Sequence, residues 1–346
     1  MTDGFLAKTQ FTAEDILGDG FRFKCHTEAD IAKNIATVDE WEFSRGLCAA
    51  LGESHFRQWD LGHFVGYAYP LSRPGPGMDL IGKFMTVAIQ VDDHIDHAVS
   101  AAECLELVAP FIRILRSDGI SANHLVSPLH RGFAEVVRES VLIGSQDWWS
   151  RAKCSWIRSL TAVIHETVNR DIRASPAPYD LFLEIRRHSG YMEPFLDILE
   201  PAGVLNVPPV AFSSPHLSLI RQTVSDLGNF INDVYSIEKE IDSGQYDNLV
   251  LVLQNENNIT IAESIYAAMD RIKALAERLV HLRSELPAMF ESLALTNQER
   301  RAAGSYADAL EMWVSGFVRW QTSSPRYNSL NSALTTVDCS ANDVRG

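Results

Sequence analysis

Leu80-Ile-Gly-Lys-Phe-Met-Thr-Val-Ala-Ile-Gln-Val91 runs without a break into Asp92-Asp93-His94-Ile95-Asp96. The first twelve residues are too apolar for a surface helix, and apolar side chains recur at three- and four-residue spacing over 79–116, the period of a helix. Asp92 and Asp96, four apart, then project from one face at the end of a buried element. Clustered carboxylates in that position repel one another unless cations neutralise them.

The same spacing continues over 30–52, 130–172, 179–199, 214–243, 258–292 and 298–322, while alternating strand patterns are scarce. The chain therefore reads as all-α. Breaks fall at Pro70 with Ser72-Arg73-Pro74-Gly75-Pro76-Gly77, at Ser117-Asp118-Gly119, Ser175-Pro176-Ala177-Pro178, Val207-Pro208-Pro209 and Asp242-Ser243-Gly244, all ordinary stop signals. None is long enough for an interdomain linker, and no repeat of fixed period occurs, so one helical domain of about ten helices over 1–346 is expected, with its core at about 35–328. The polar or weakly patterned ends, 1–20 and 328–346, are expected to be the mobile parts.

A formal charge of −15 with no basic tract excludes a phosphate-backbone partner such as DNA or RNA. Cys25, Cys48, Cys104, Cys154 and Cys339 are scattered and odd in number, which fits a reduced compartment better than a disulfide or zinc framework. The histidines form no zinc-ligand set. With neither a signal pattern at the N-terminus nor an apolar run long enough to span a membrane, a cytoplasmic protein is expected.

A second motif lies 140 residues beyond the first: Asn232-Asp233-Val234-Tyr235-Ser236-Ile237-Glu238-Lys239-Glu240. On a helix, Asn232, Ser236 and Glu240 share a face and offer only oxygen, a set suited to magnesium. Taken alone, each motif also fits a solvated helix face. Together, with a lysine and arginines nearby, they suit a diphosphate substrate whose departure as an anion the cations would assist.

With both motifs in order, the chain resembles the class I terpene synthases (terpene cyclases) of the single-domain microbial type, over roughly residues 35–328. The resemblance implies an all-α bundle around a central cavity and a three-magnesium cluster held by Asp92, Asp93, Asp96, Asn232, Ser236 and Glu240. It places the diphosphate-sensing arginine 46 positions before Asn232, at Arg186, and matches the family's C-terminal Arg-Tyr pair at Arg326-Tyr327, with Trp320 before it. Glu166-Thr-Val-Asn-Arg170 looks like the helix that leads into the sensor segment. Ser189 stands where the family often has a linker Asp, and Gly190 at the helix break whose carbonyl faces substrate. A hydroxyl can still accept a hydrogen bond from Arg186, without charge assistance, and glycine relaxes the helix there. A homodimer is also common in the family.

The implied activity is magnesium-dependent ionisation of an isoprenyl diphosphate. Arg186, Lys239, Arg326 and Tyr327 would grip the diphosphate, and the carbocation would fold against an apolar wall. Aromatic candidates for that wall are Phe64, Tyr67, Phe84, Trp313, Phe317 and Trp320.

Beneath the aspartates the row Ile81, Met85, Ala88, Ile89 carries no aromatic residue, and Ser225 and Gly228 across the cavity are small. That volume favours geranylgeranyl over farnesyl diphosphate, with a farnesyl-using sesquiterpene cyclase as the alternative. A chain-elongating prenyltransferase would repeat Asp-Asp-x-x-Asp at the second site, from which Asn232 to Glu240 departs. A non-catalytic isoprenoid-binding protein is the reading from another class.

Overall fold

A computed structural model describes residues 13–324 except 19, 49–51, 97, 121–126 and 174. Seventeen helices and no strand occur among the described residues. In chain order they are α1 (Ala13–Leu17), α2 (Glu28–Arg45), α3 (His55–Gln58), α4 (Leu61–Ala68), α5 (Pro76–Asp96), α6 (Ala101–Arg116), α7 (Pro128–Ile143) and α8 (Gln146–Ile172). Then follow α9 (Tyr179–Ser189), α10 (Met192–Asp197), α11 (Leu199–Gly203), α12 (Pro209–Phe212), α13 (Pro215–Ser243), α14 (Leu249–Asn257), α15 (Ile261–Ser284), α16 (Leu286–Ser292) and α17 (Asn297–Ser323).

The count exceeds the expected ten because caps divide periodic stretches. Within 79–116 the Ser100 hydroxyl accepts from the Glu103 amide at 3.3 Å and starts α6 anew. Ser145 does the same for α8, accepting from the Trp148 amide at 3.1 Å just after Gly144. The short helices α4 and α14 escape a search for long periodicity altogether. Asn248 caps α14 by accepting from the Val250 amide at 2.8 Å.

One cluster of buried apolar side chains extends from Ile16 to Trp320. Around it α13 packs on α15 and α17, α8 on α6 and α9, and α5 on α2 and α7. The pairing of α4 with α17 is close because residue 316 is glycine: a Cβ there would collide with the Tyr67 carbonyl. That contact brings Phe64 and the aromatic face of α17 to one end of the cavity described next. No helix among the described residues is long and apolar enough to cross a membrane.

Candidate active site

Seven helices contribute to one cavity. Phe64 comes from α4; Met85, Ala88, Ile89, Asp92 and Asp96 from α5; Val163, Glu166 and Arg170 from α8. The segment from Arg186 on α9 to Phe195 on α10 closes another side, and α13 contributes Asn232, Ser236, Lys239 and Glu240. Gln245 and Asp247 follow from the turn after α13, and α17 supplies Phe317 and Trp320.

The last turn of α5 holds the first acidic group. Oxygen atoms of Asp92, Asp93 and Asp96 lie within 4.8 Å of one another, close enough for shared coordination. Asp92 and Asp96 line the cavity, while Asp93 sits beside them. Asp96 opens to the cavity mouth, yet the surrounding protein raises its carboxyl above the ordinary range, opposed by the charge of Lys239. Lys239 on α13 and Asp96 on α5 line the same cavity.

On α13 the second group is already interconnected. The Ser236 hydroxyl donates to Glu240 at 2.6 Å, and the Asn248 amide donates to the other Glu240 oxygen at 2.8 Å. Burial pushes the Glu240 carboxyl up to about 7. Asp233, between the ligand positions, turns the other way: it is fully buried, accepts from Arg186 at 2.5 Å, and accepts from the Leu249 amide at 2.9 Å at the start of α14. Arg186 also donates to the Asn232 side-chain oxygen at 3.4 Å. Its charge is held firmly: against the cost of burial, Asp233, Glu166 and Glu240 raise it above the usual guanidinium range.

The helix breaks immediately after α9, where the family resemblance implies it, but the strained residue is not the glycine. Gly190 has an ordinary φ of −72°, whereas Tyr191 adopts the left-handed region at φ 57°. Glycine is needed because a Cβ at 190 would collide with the Asn229 side chain. Asn229 in turn donates to the Arg186 carbonyl at 3.1 Å. The Ser189 hydroxyl donates to Glu166 rather than accepting from Arg186.

The aromatic candidates separate into two groups. Phe64, Phe317 and Trp320 line the cavity, and the Trp320 indole donates to the Asp60 carbonyl at 3.0 Å. Tyr67 does not: it packs against Phe23 and His63, with the Arg319 guanidinium 5.4 Å from its ring centre. Phe84 lies behind the wall, edge-on to Phe195 and Trp156. Trp313 is also behind it, stacked on Phe317 at 4.9 Å and 11°. Ile81, Ser225 and Gly228 are absent from the lining, and the space beside Gly228 is filled by Met192 and Trp313. Arg326 and Tyr327 lie outside the described residues.

Sequence reasoning did not assign Arg170, Tyr191, Met192, Phe195, Gln245 or Asp247 to the cavity. Arg170 projects from α8, whose period does not tell which face meets the cavity, and the others follow from the helix break and from the turn after α13, which carry no periodic signal. The Gly244-to-Asn248 turn is the one feature that could have pointed to Asp247.

A hard divalent cation fits this wall. Five carboxylates line the cavity against three cationic side chains, and no His or Cys is among the described lining residues. The nearby His94 ring instead faces Phe111 and His130. Oxygen-only donors with surplus negative charge suit magnesium and disfavour zinc.

The profile of terpene synthase family 2, C-terminal metal binding, matches residues 83–278, which span both acidic groups and the Arg186 segment. The chain belongs to this terpene synthase family, and it is a class I enzyme of the microbial type. It is 30% identical to a pentalenene synthase of Streptomyces avermitilis over 58% of this chain and 60% of that protein. It is 26% identical to a 7-epi-alpha-eudesmol synthase of Streptomyces viridochromogenes, described as (2E,6E)-farnesyl diphosphate cyclizing, over 87% of this chain and 88% of that one. The fold is similar to that of germacradien-4-ol synthase from Streptomyces citricolor, with a TM-score of 0.78 and 23% identity, covering 90% of this chain and 99% of the other.

Proposed function

We propose that this protein is a terpene cyclase that ionises farnesyl diphosphate and cyclises the resulting carbocation to a sesquiterpene hydrocarbon or alcohol. The observation that carries this reading is the pair of oxygen-ligand faces on α5 and α13 across one cavity, with Arg186 beside the second face and an aromatic wall at α4 and α17. Asp92, Asp93, Asp96, Asn232, Ser236 and Glu240 would hold a three-magnesium cluster. Bound magnesium supplies positive charge that neutralises the departing diphosphate.

Arg186 and Lys239 bind diphosphate oxygens and orient the allylic carbon towards the interior. As the C–O bond breaks heterolytically, its electron pair leaves with the diphosphate, and these side chains stabilise that charge. Arg326 and Tyr327, assigned by the family resemblance, would complete the clamp. Phe64, Phe317 and Trp320 present ring faces to the cation, while Met85, Ala88, Ile89 and Val163 exclude water.

The small residues expected to enlarge the cavity favour a twenty-carbon substrate only if they line it. Ser225 and Gly228 do not, which removes half of that argument. The eudesmol synthase relative, whose name specifies farnesyl diphosphate, supports the fifteen-carbon reading. The aliphatic row Met85, Ala88 and Ile89 is the one observation favouring geranylgeranyl diphosphate. Incubation with geranyl, farnesyl and geranylgeranyl diphosphates and magnesium, with products identified by mass spectrometry, decides between them. Exclusive turnover of the twenty-carbon substrate would overturn the farnesyl assignment, and no diphosphate release from any of the three would overturn the cyclase reading.

A further inference from the structure

The backbone break between α9 and α10 needs an external restraint. Tyr191 is a non-glycine residue at φ 57°, a conformation that costs of order 1–3 kcal/mol and persists only where its surroundings impose it. The same break sets where the Arg186 guanidinium and the Gly190 peptide stand relative to the cavity.

Two side chains from outside the segment grip it. From α13, Asn229 donates to the Arg186 carbonyl at 3.1 Å. From α8, Glu166 accepts a hydrogen bond from the hydroxyl of buried Ser189, the last residue of α9. Glu166 lines the cavity beside Arg186, whose charge opposes the rise that burial and Asp247 impose on the Glu166 carboxyl. Arg186 forms its close ion pair with Asp233, so the influence of Glu166 on the sensor runs through Ser189 and through longer-range charge.

We propose that Glu166 is a positioning residue for the ionisation step: through Ser189 it holds the end of α9 against α8 and so fixes Arg186 and Gly190 at the cavity. The carboxylate anchoring this segment therefore comes from a different helix, not from the segment itself. This inference rests on the proposed diphosphate chemistry.

The test uses the full chain with Glu166→Ala, Ser189→Ala, the double variant, Glu166→Gln, Ser189→Asp, and Glu166→Gln combined with Ser189→Asp. Each is measured for turnover of the active prenyl diphosphate and for the melting-temperature rise given by inorganic diphosphate with magnesium. Either alanine variant should lower kcat about tenfold, and because both remove one shared contact the double should fall little further. Both single variants should also lose most of the diphosphate-induced rise. Ser189→Asp should depress turnover in the natural chain by setting two carboxylates together. In the Glu166→Gln background the same change should raise turnover, since the Gln amide can donate to the new carboxylate.

Independent, additive losses from the alanine variants would overturn the proposal, as would a Ser189→Asp effect of the same sign in both backgrounds. If Ser189→Asp does not fold, the alanine cycle in kcat and in diphosphate-induced stabilisation still decides. Failure of the natural chain to release diphosphate from any prenyl substrate would instead count against the cyclase reading, leaving the Glu166–Ser189 coupling to be judged by melting temperature.

Discussion

Arg186 and Asp233, 47 positions apart, meet at 2.5 Å with the Asp233 side chain wholly buried. The pair ties the end of α9 to the middle of α13, so Arg186 and the face carrying Asn232, Ser236 and Glu240 are fixed relative to one another. Asp233 also accepts from the Leu249 amide, which extends the same restraint to α14.

Removing one member of a buried pair leaves the other charged and unsatisfied, so Asp233→Ala should destabilise the protein by about 3–5 kcal/mol. Urea unfolding measures this directly. A loss well below 1 kcal/mol would mean that the pair is solvated in solution.

Magnesium and inorganic diphosphate together should raise the melting temperature of the natural chain by mass action. Asp92→Asn should lose most of that rise and most of the turnover, and chelation by EDTA should abolish turnover in both. Unchanged stabilisation in Asp92→Asn would remove α5 from the metal site.

Gly190→Ala should cost about 1–3 kcal/mol, because its new methyl group meets the Asn229 side chain. Asn229→Ala should relieve part of that penalty. Equal costs in both backgrounds would show that backbone freedom, not close approach, requires glycine here.

The His55–Glu42 pair, outside the cavity lining but within reach of the Asp93 charge, gives a pH dependence of stability. Buried Glu42 accepts from His55 Nδ1 at 3.1 Å, from the Ser54 hydroxyl at 2.5 Å and from Gln90 at 3.0 Å. The hydrogen bond to Glu42 raises the His55 imidazolium pKa above its ordinary value against the cost of burial. A raised folded-state value means that the folded protein holds its proton longer. The stabilisation is therefore complete below the unfolded pKa of about 6.5 and is lost as pH rises through the folded value. His55→Gln should flatten melting temperature against pH in that window; an unchanged slope would assign it to other groups.

Filling the aliphatic row beneath Asp92 should shorten the usable cavity. Ala88→Phe should reduce farnesyl turnover relative to geranyl turnover by about tenfold or more, on the scale of pocket-size discrimination. Parallel kcat/KM measurements with the two substrates test it. Equal losses would mean that Ala88 does not meet the chain's distal end.

The amino-acid sequence alone determined the helical class and the composition of the two oxygen-rich helix faces. Asp92 with Asp96, and Asn232 with Ser236 and Glu240, share faces through the three- and four-residue period of a helix, a local property that survives any packing. The break at Gly190 came from the family resemblance, which also singled out Arg186 by its spacing from Asn232. What the sequence could not separate was Trp320 and Phe64, which line the cavity, from Trp313, Phe84 and Tyr67, which do not. Aromatic residues at helical spacing look alike until neighbouring helices choose which edge is covered. The pairing of Glu166 with Ser189, the inward turn of Asp233 and the strain at Tyr191 rather than Gly190 are likewise tertiary decisions. Each depends on side chains from distant segments arriving at one point, where close approach and burial select the partner.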